Sequence, residues 1–184
     1  MEQQLFFLIL GCKPAGRNTE QHDAFFGVGT SLKDLIPQME AFWPDAGKIH
    51  IDSWRAITNV DGHTIKVVSR ETALPAVANK LFFLNLGGYK PNDLEEYHYK
   101  LLTVSKDKGE AVAQAKKTAF YLHNGFAGAT SHIDDKYGVD VDDIYEITDI
   151  LPASIKEKFT LLIEKTTVPA EDELHIGYVK LSSL

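Results

Sequence analysis

Cysteine is nearly absent from this chain: Cys12 is the only one in 184 residues, so no disulfide can form within it. Positive charge is short as well, with 19 Lys and Arg against 26 Asp and Glu and a net charge of −7. No run of basic residues makes a local exception, so the electrostatic attraction on which nucleic-acid binders rely is missing and no nucleic-acid partner is expected. Long apolar runs are also lacking. The longest, Leu5 to Leu10, falls far short of the roughly 20 residues that cross a bilayer, so no membrane partner is expected either. The start MEQQ is acidic and polar and lacks the basic opening of a secretory signal, which with the lone cysteine predicts a cytoplasmic, reducing environment. What is present, 44% hydrophobic and 24% charged residues, is the composition of a folded globular protein, large enough for one good core or two small ones.

One strand is written twice. LFFLILG at 5–11 returns as LFFLNLGG at 81–88, an offset of 76 residues. The same register brings Glu20 onto Glu96, His22 onto His98, Val28 onto Val104 and Gln38 onto Gln114. Two added residues bring AFW (41–43) onto AFY (119–121), and four more bring HID (50–52) onto HID (132–134). Two copies are too few for an open solenoid, which needs about three units to bury a continuous core. An internal duplication, its halves packed about a pseudo-twofold axis, is the expectation.

Each copy parses as ββαββ. Residues 4–10 form an apolar run bounded by Gly11, a strand covered on both faces. HDAFFGVGT is a second, glycine-interrupted strand. SLKDLIPQMEAFW carries an apolar stripe at helical spacing behind Ser31 as N-cap, with Pro37 placed to bend or shorten the helix. KIHIDSWRAI and HTIKVV read as a hairpin about the turn NVDG. Copy two repeats the order with KLFFLNL, YHYKLLTVS, a helix over roughly 108–123, SHIDDKYG and DDIYEI. The predicted fold is α+β with a mainly antiparallel sheet: repeat one at 1–68, a connector at 69–80, repeat two at 81–150, and a C-terminal helix (ASIKEKFTLLIEK) and strand (ELHIGYVKL) at 151–184 that cap an exposed edge or face.

LGCKPAGRNTEQHDAFFGVG, SLKDLIPQM, FWPDAGKIHIDSWR, FFLNLGGYKPNDLEEYHYK and SHIDDKYGVDVDDIYEI together resemble a bacterial family known as domain of unknown function 1543 (DUF1543), over nearly the whole chain through about residue 150. The resemblance implies a stand-alone bacterial protein with the domain in one or two copies, here two in tandem. It carries over no activity.

LFFLILGCKPAGRNT has the outline of a phosphate loop, but Arg17 and Asn18 stand where Lys and Ser or Thr are needed. A thiolate loop built on Cys12 and Arg17 has one intervening residue too few, so neither residue is expected in catalysis. The two HID stretches say more. On a strand, His50 and Asp52 share a face, as do His132 and Asp134, and a carboxylate beside an imidazole suits a general base or a metal ligand. With only two such residues close in sequence per copy, no metal set is complete and no cofactor is implied. The competing reading is that each pair is hydrogen-bonded for structural reasons. Glu20 with His22 and Glu96 with His98 are candidates to frame a ligand cleft, with Trp43, Trp54, Tyr97, Tyr99 and Tyr121 as its lining.

Two functions follow from these patterns. One is a non-enzymatic protein that binds a small molecule, another protein or itself. The other is a hydrolase or isomerase using a His-x-Asp pair as general base, with or without a metal. A homodimer is expected, because the apolar strands need cover on both faces and only three helices are foreseen.

Overall fold

The apolar run at the start of the chain becomes β1 (Gln4–Cys12), the inner strand of an antiparallel sheet whose neighbours are β2 (Gln21–Gly29) and β3 (His50–Ile57). This is a computed structural model that describes residues 2–71, 79–89, 92, 94–123, 140–168 and 170–184. The chain divides into two compact units, Met1–Ala76 with Ile150–Leu184, and Val77–Asp149. Among the described residues all strand pairs are antiparallel, as the composition of alternating strands and few helices predicts. No helix among them is long and apolar enough to cross a membrane.

In the first unit, even-numbered residues of β1 face one way. Phe6, Leu8 and Leu10 are buried with Phe25, Leu35, Met39 and Ile51 beneath α1 (Ile36–Phe42). The helix foreseen from Ser31 is split. A 3-10 turn at Leu32–Leu35 precedes α1, so Pro37 falls in the first turn of the α-helix, where its missing N–H has no partner to lose. Odd-numbered residues of β1, Gly11 among them, face the other way. Leu5, Phe26, Val28 and Ile57 are buried within the chain itself, so at these positions cover comes without a second subunit.

Two strands pair differently from expectation. β5 (His63–Ser69) was expected to form a hairpin with β3, but both flanks of β3 are taken, by β1 and by β10 (His175–Lys180). The hairpin is made instead with the two-residue β4 (Asn59–Val60), across Asp61 and Gly62, whose φ of 48° and 69° suit the tight turn of a two-residue loop. β5 pairs on its other side with β9 (Phe159–Lys165). That strand occupies most of the stretch read as a C-terminal helix, which shrinks to the single turn Ala153–Lys156. Phe, Thr, Leu and Ile fit a pleated strand when an open edge is on offer, and β5 offers one. The final strand behaves as foreseen, since β10 covers the edge of β3.

In the second unit β6 (Lys80–Tyr89) lies between β7 (Glu96–Ser105) and β8 (Asp140–Glu146), and α2 (Lys108–His123) packs on one face. Phe82, Leu84 and Leu86 meet Ala111 and Ala115, whose small side chains let the helix come close to the sheet. Asp107 starts this helix by accepting the Glu110 N–H at 2.9 Å, while Glu110 accepts the Lys106 N–H at 2.9 Å.

The two units share a ββαβ frame. Gly11 faces His22 on one side and His50 on the other; Gly87 faces His98 and Asp140. A bulge interrupts the second pairing at the same place in both, between Ile9 and Leu10 and between Asn85 and Leu86. The sheet position of HIDSWRAI is therefore held in the second unit by DVDDIYE. The strand read at SHIDDKYG lies outside the described residues.

Candidate metal centre

Gly11 is the floor of a polar cluster. A Cβ at this position would lie 2.3 Å from His50 Nε2 and 2.9 Å from Asp52 Oδ2, so any side chain here would occupy the space these groups use. β2 brings His22 opposite Gly11 and Glu20 from just before its first residue; β3 brings His50 opposite Gly11 from the other flank. The bulge of β3 displaces Asp52 from the ladder and turns it toward the same point, a common use of a bulge beside a site. Three strands thus deliver two imidazoles and two carboxylates above one glycine.

The spacing within the cluster decides what it can do. His50 Nε2 lies 3.2 Å from Glu20 Oε1 and 3.3 Å from Asp52 Oδ1, and His22 Nε2 lies 3.1 Å from Asp52 Oδ2 and 3.8 Å from Glu20 Oε2. Despite this proximity, His50 Nε2 and Asp52 Oδ2 are buried and make no hydrogen bond. The oxygens stand beside the imidazole nitrogen and not along its N–H direction. Donors about 2.0–2.2 Å from one tetrahedral ion lie about 3.4 Å from each other, and these contacts of 3.1 to 3.8 Å are on that scale, made through both oxygens of each carboxylate. Glu20, His22 and His50 each offer a ligand atom within 4.8 Å of the others. A hydrogen-bonded His–Asp pair, the structural alternative raised by the sequence, is not what the geometry shows.

His50 is the anchor. Its side chain is 6% exposed, whereas those of Glu20, His22 and Asp52 are 46%, 47% and 32% exposed, so the cluster is buried at its base and open on one side. The ring of Tyr178 lies 4.4 Å from that of His50, centroid to centroid. Tyr178 arrives in a second irregularity, where the pairing of β10 with β3 skips between Ile176 and Val179. Cys12 is fully buried, and burial first, then the negative charge of Glu20, push its thiol up from its ordinary range. That is the reverse of what a reactive thiolate requires.

The second unit repeats the arrangement with other donors. Glu96 and His98 on β7 stand where Glu20 and His22 stand, and Asp142 takes the bulged position of Asp52. His98 Nε2 is 3.3 Å from Asp142 Oδ2, and the three residues offer ligand atoms within 4.8 Å of one another. A Cβ on Gly87 would lie 2.3 Å from Asp142 Oδ2 and 2.7 Å from Glu96 Oε1. The place of His50 falls to Asp140.

The candidates read from the sequence therefore divide. Glu20, His22, His50 and Asp52 converge; Glu96 and His98 converge with Asp142. His132 and Asp134 lie outside the described residues, and the register assigns the counterpart of Asp52 to Asp142 instead. Asp142 and the two glycines were missed as site residues. Gly11 and Gly87 are 76 residues apart, the same offset as Glu20 to Glu96, and that coincidence was the available signal. Of the aromatics, Trp43 and Trp54 pack on the first core while Tyr97 and Tyr99 are exposed. Trp54 also lines a cavity of about 670 Å³ with Phe6, Thr58, Asp172 and His175, into which none of the four converging donors of the first unit points.

Residues 17–67 match the model of the family described as Domain of Unknown Function (DUF1543). The chain resembles that family there. The match spans β2 through most of β5, and so holds Glu20, His22, His50 and Asp52; it does not extend to the second unit, where the resemblance was also expected. No curated protein gives a match. Among solved structures, one titled crystal structure of a protein Il1583 from Idiomarina loihiensis is similar, with a TM-score of 0.64 and 21% identity over 98% of this chain and 99% of the other. At that identity the likeness concerns the fold.

Proposed function

We propose that this protein binds a divalent first-row transition-metal ion, of the zinc class, through Glu20, His22, His50 and Asp52. The observation that carries the reading is the buried, unbonded Nε2 of His50 held above a glycine that leaves room for it. A buried polar atom without a partner costs roughly 1–3 kcal/mol, and a bound cation would remove that cost. Two imidazoles with two carboxylates suit zinc and its neighbours better than the all-oxygen surroundings preferred by calcium or magnesium. The small ligand foreseen from the sequence is then the ion itself together with whatever occupies its open side.

The exposure of Glu20, His22 and Asp52 supports a second reading, in which an ion with a free position activates water for hydrolysis. The general base of a His-x-Asp hydrolase becomes a set of ligands in that case. Both readings meet in one experiment. Zn²⁺ titrated into chelator-treated protein is expected to bind and to raise the melting temperature by mass action. His50→Leu is expected to abolish that rise while leaving the metal-free protein at least as stable, because it removes an unpaired polar atom. A metal-free His50→Leu protein that melts far below wild type, with Zn²⁺ affinity unchanged, would return His50 to a structural role. Zn²⁺-dependent cleavage of simple esters, lost in His22→Ala, is what the hydrolytic reading requires, and its absence across ester and phosphoester probes removes that reading.

A further inference from the structure

The second unit holds a cluster on the same frame whose donor set is different. Its bulge, its central glycine and its Glu-x-His strand correspond one for one with those of the first unit. Gly87 is a cradle of the same kind, since a Cβ there would strike Asp142 Oδ2 and Glu96 Oε1. Asn85 lies two residues from Gly87 on the same face of β6, away from α2, and its Oδ1 is buried with no hydrogen bond, while its Nδ2 donates to Asp143 Oδ2 at 3.3 Å. Glu96, His98 and Asp142 offer two carboxylates and one imidazole, an oxygen-rich donor set. In the first unit Ile9 stands at the place of Asn85 and a second histidine at that of Asp140.

Building on the metal reading of the first unit, we infer that the protein carries a second cation site at Glu96, His98 and Asp142, and that this site takes a harder ion, of the Mn²⁺ class, than the first. Donor hardness decides the preference: carboxylate and carbonyl oxygens favour Mn²⁺ over zinc-class ions more than a two-histidine set does. Exposure adds to it. All three donors are exposed, and a weakly bound, well-hydrated ion suits such a place.

The test uses the full chain, stripped with a chelator and titrated with Mn²⁺ under electron paramagnetic resonance and with Zn²⁺ by calorimetry. Mn²⁺ is expected to bind once per chain, with affinity falling at least tenfold in Asp142→Asn and in His98→Ala and staying within twofold in His50→Leu. Zn²⁺ is expected to show the opposite pattern. Circular dichroism of each variant confirms that the fold is kept. Mn²⁺ binding that ignores both Asp142→Asn and His98→Ala overturns the second site, as does a total of one ion per chain with both metals present. Mn²⁺ binding lost in Asp142→Asn while Zn²⁺ never binds would leave this site standing and remove the first.

Discussion

The two units use one frame for two different degrees of enclosure. In both, a central glycine lies between a Glu-x-His strand and a strand with a bulged aspartate. In the first, β10 lies along the far side of β3 and sets Tyr178 against the buried His50; in the second, no strand lies beyond β8 among the described residues. One extra strand therefore separates a buried imidazole from an exposed set of carboxylates. The lesson is that such a frame supplies position, while the strand beside it supplies desolvation, and the two can be changed independently.

Substituting the central glycines tests this most severely. Gly11→Val would force its side chain into the ring of His50, which is buried and lies beside Tyr178. The expected result is a loss of Zn²⁺ affinity of at least 100-fold and a destabilisation of about 1–3 kcal/mol, the usual cost of overpacking. Gly87→Ala meets only the ends of two exposed side chains, which can swing away. Mn²⁺ affinity should fall about tenfold, with stability within about 0.5 kcal/mol of wild type. Equal destabilisation by the two substitutions, measured by urea unfolding, would break the distinction between an enclosed and an open site.

Tyr178→Ala probes the enclosing strand directly. An aromatic contact of this kind contributes about 0.5–1.5 kcal/mol beyond its buried area, so a several-fold weaker Zn²⁺ affinity is expected, with Mn²⁺ affinity unchanged. Calorimetry that finds no change in Zn²⁺ affinity would show that β10 merely covers an edge and does not tune the site.

Much of this was legible in the sequence, for identifiable reasons. β1 and β6 declare themselves because strands covered on both faces are continuously apolar. The pairs Glu20 with His22 and Glu96 with His98 are found by a constant offset, since the hairpin before them has the same length in both units. Past the helix that constancy ends. The helical segment spans 32–42 in the first unit and 108–123 in the second, and the stretch from its end to the next strand is longer in the second as well, so the offset between matching strands has grown to 90 by Asp52 and Asp142. The literal repeat HID at 132–134 is therefore no guide to the counterpart of β3, whose place beside β6 is held by Asp140–Glu146. The roles of Gly11 and Gly87 were hidden for another reason. A glycine kept for the space above it leaves no trace in periodicity or propensity, and its neighbours come from strands 11 and 39 residues away along the chain. β9 was misread as a helix because a short apolar run has no period of its own, and a free edge decided the outcome.

The smallest expected effect concerns an ion pair that the first unit lacks. Lys80 Nζ lies 2.7 Å from Glu146 Oε2, joining the start of β6 to the end of β8; the matching positions in the first unit are Gln4 and Ala56. Burial alone would push the Glu146 carboxyl up, but hydrogen bonds from Lys80 and Thr148 and the charge of Lys80 outweigh it and hold the carboxyl below its ordinary 4.5. The same bond, with the charge of Glu146, raises the Lys80 ammonium above its ordinary 10.5. A carboxyl depressed in the folded state stabilises above its unfolded value and loses that contribution as pH falls through the folded one. A raised ammonium does so below its unfolded value and loses its contribution as pH rises through the folded one. The pair therefore acts fully between about pH 4.5 and 10.5. Lys80→Met should lower the melting temperature at pH 7 by a few degrees at most, the scale of a surface pair. The difference should shrink as pH falls below 4.5 and through the depressed value of Glu146, where the carboxylate takes up its proton. A melting difference that persists unchanged throughout the acid range would mean that the lysine stem, and not its charge, holds these strand ends together.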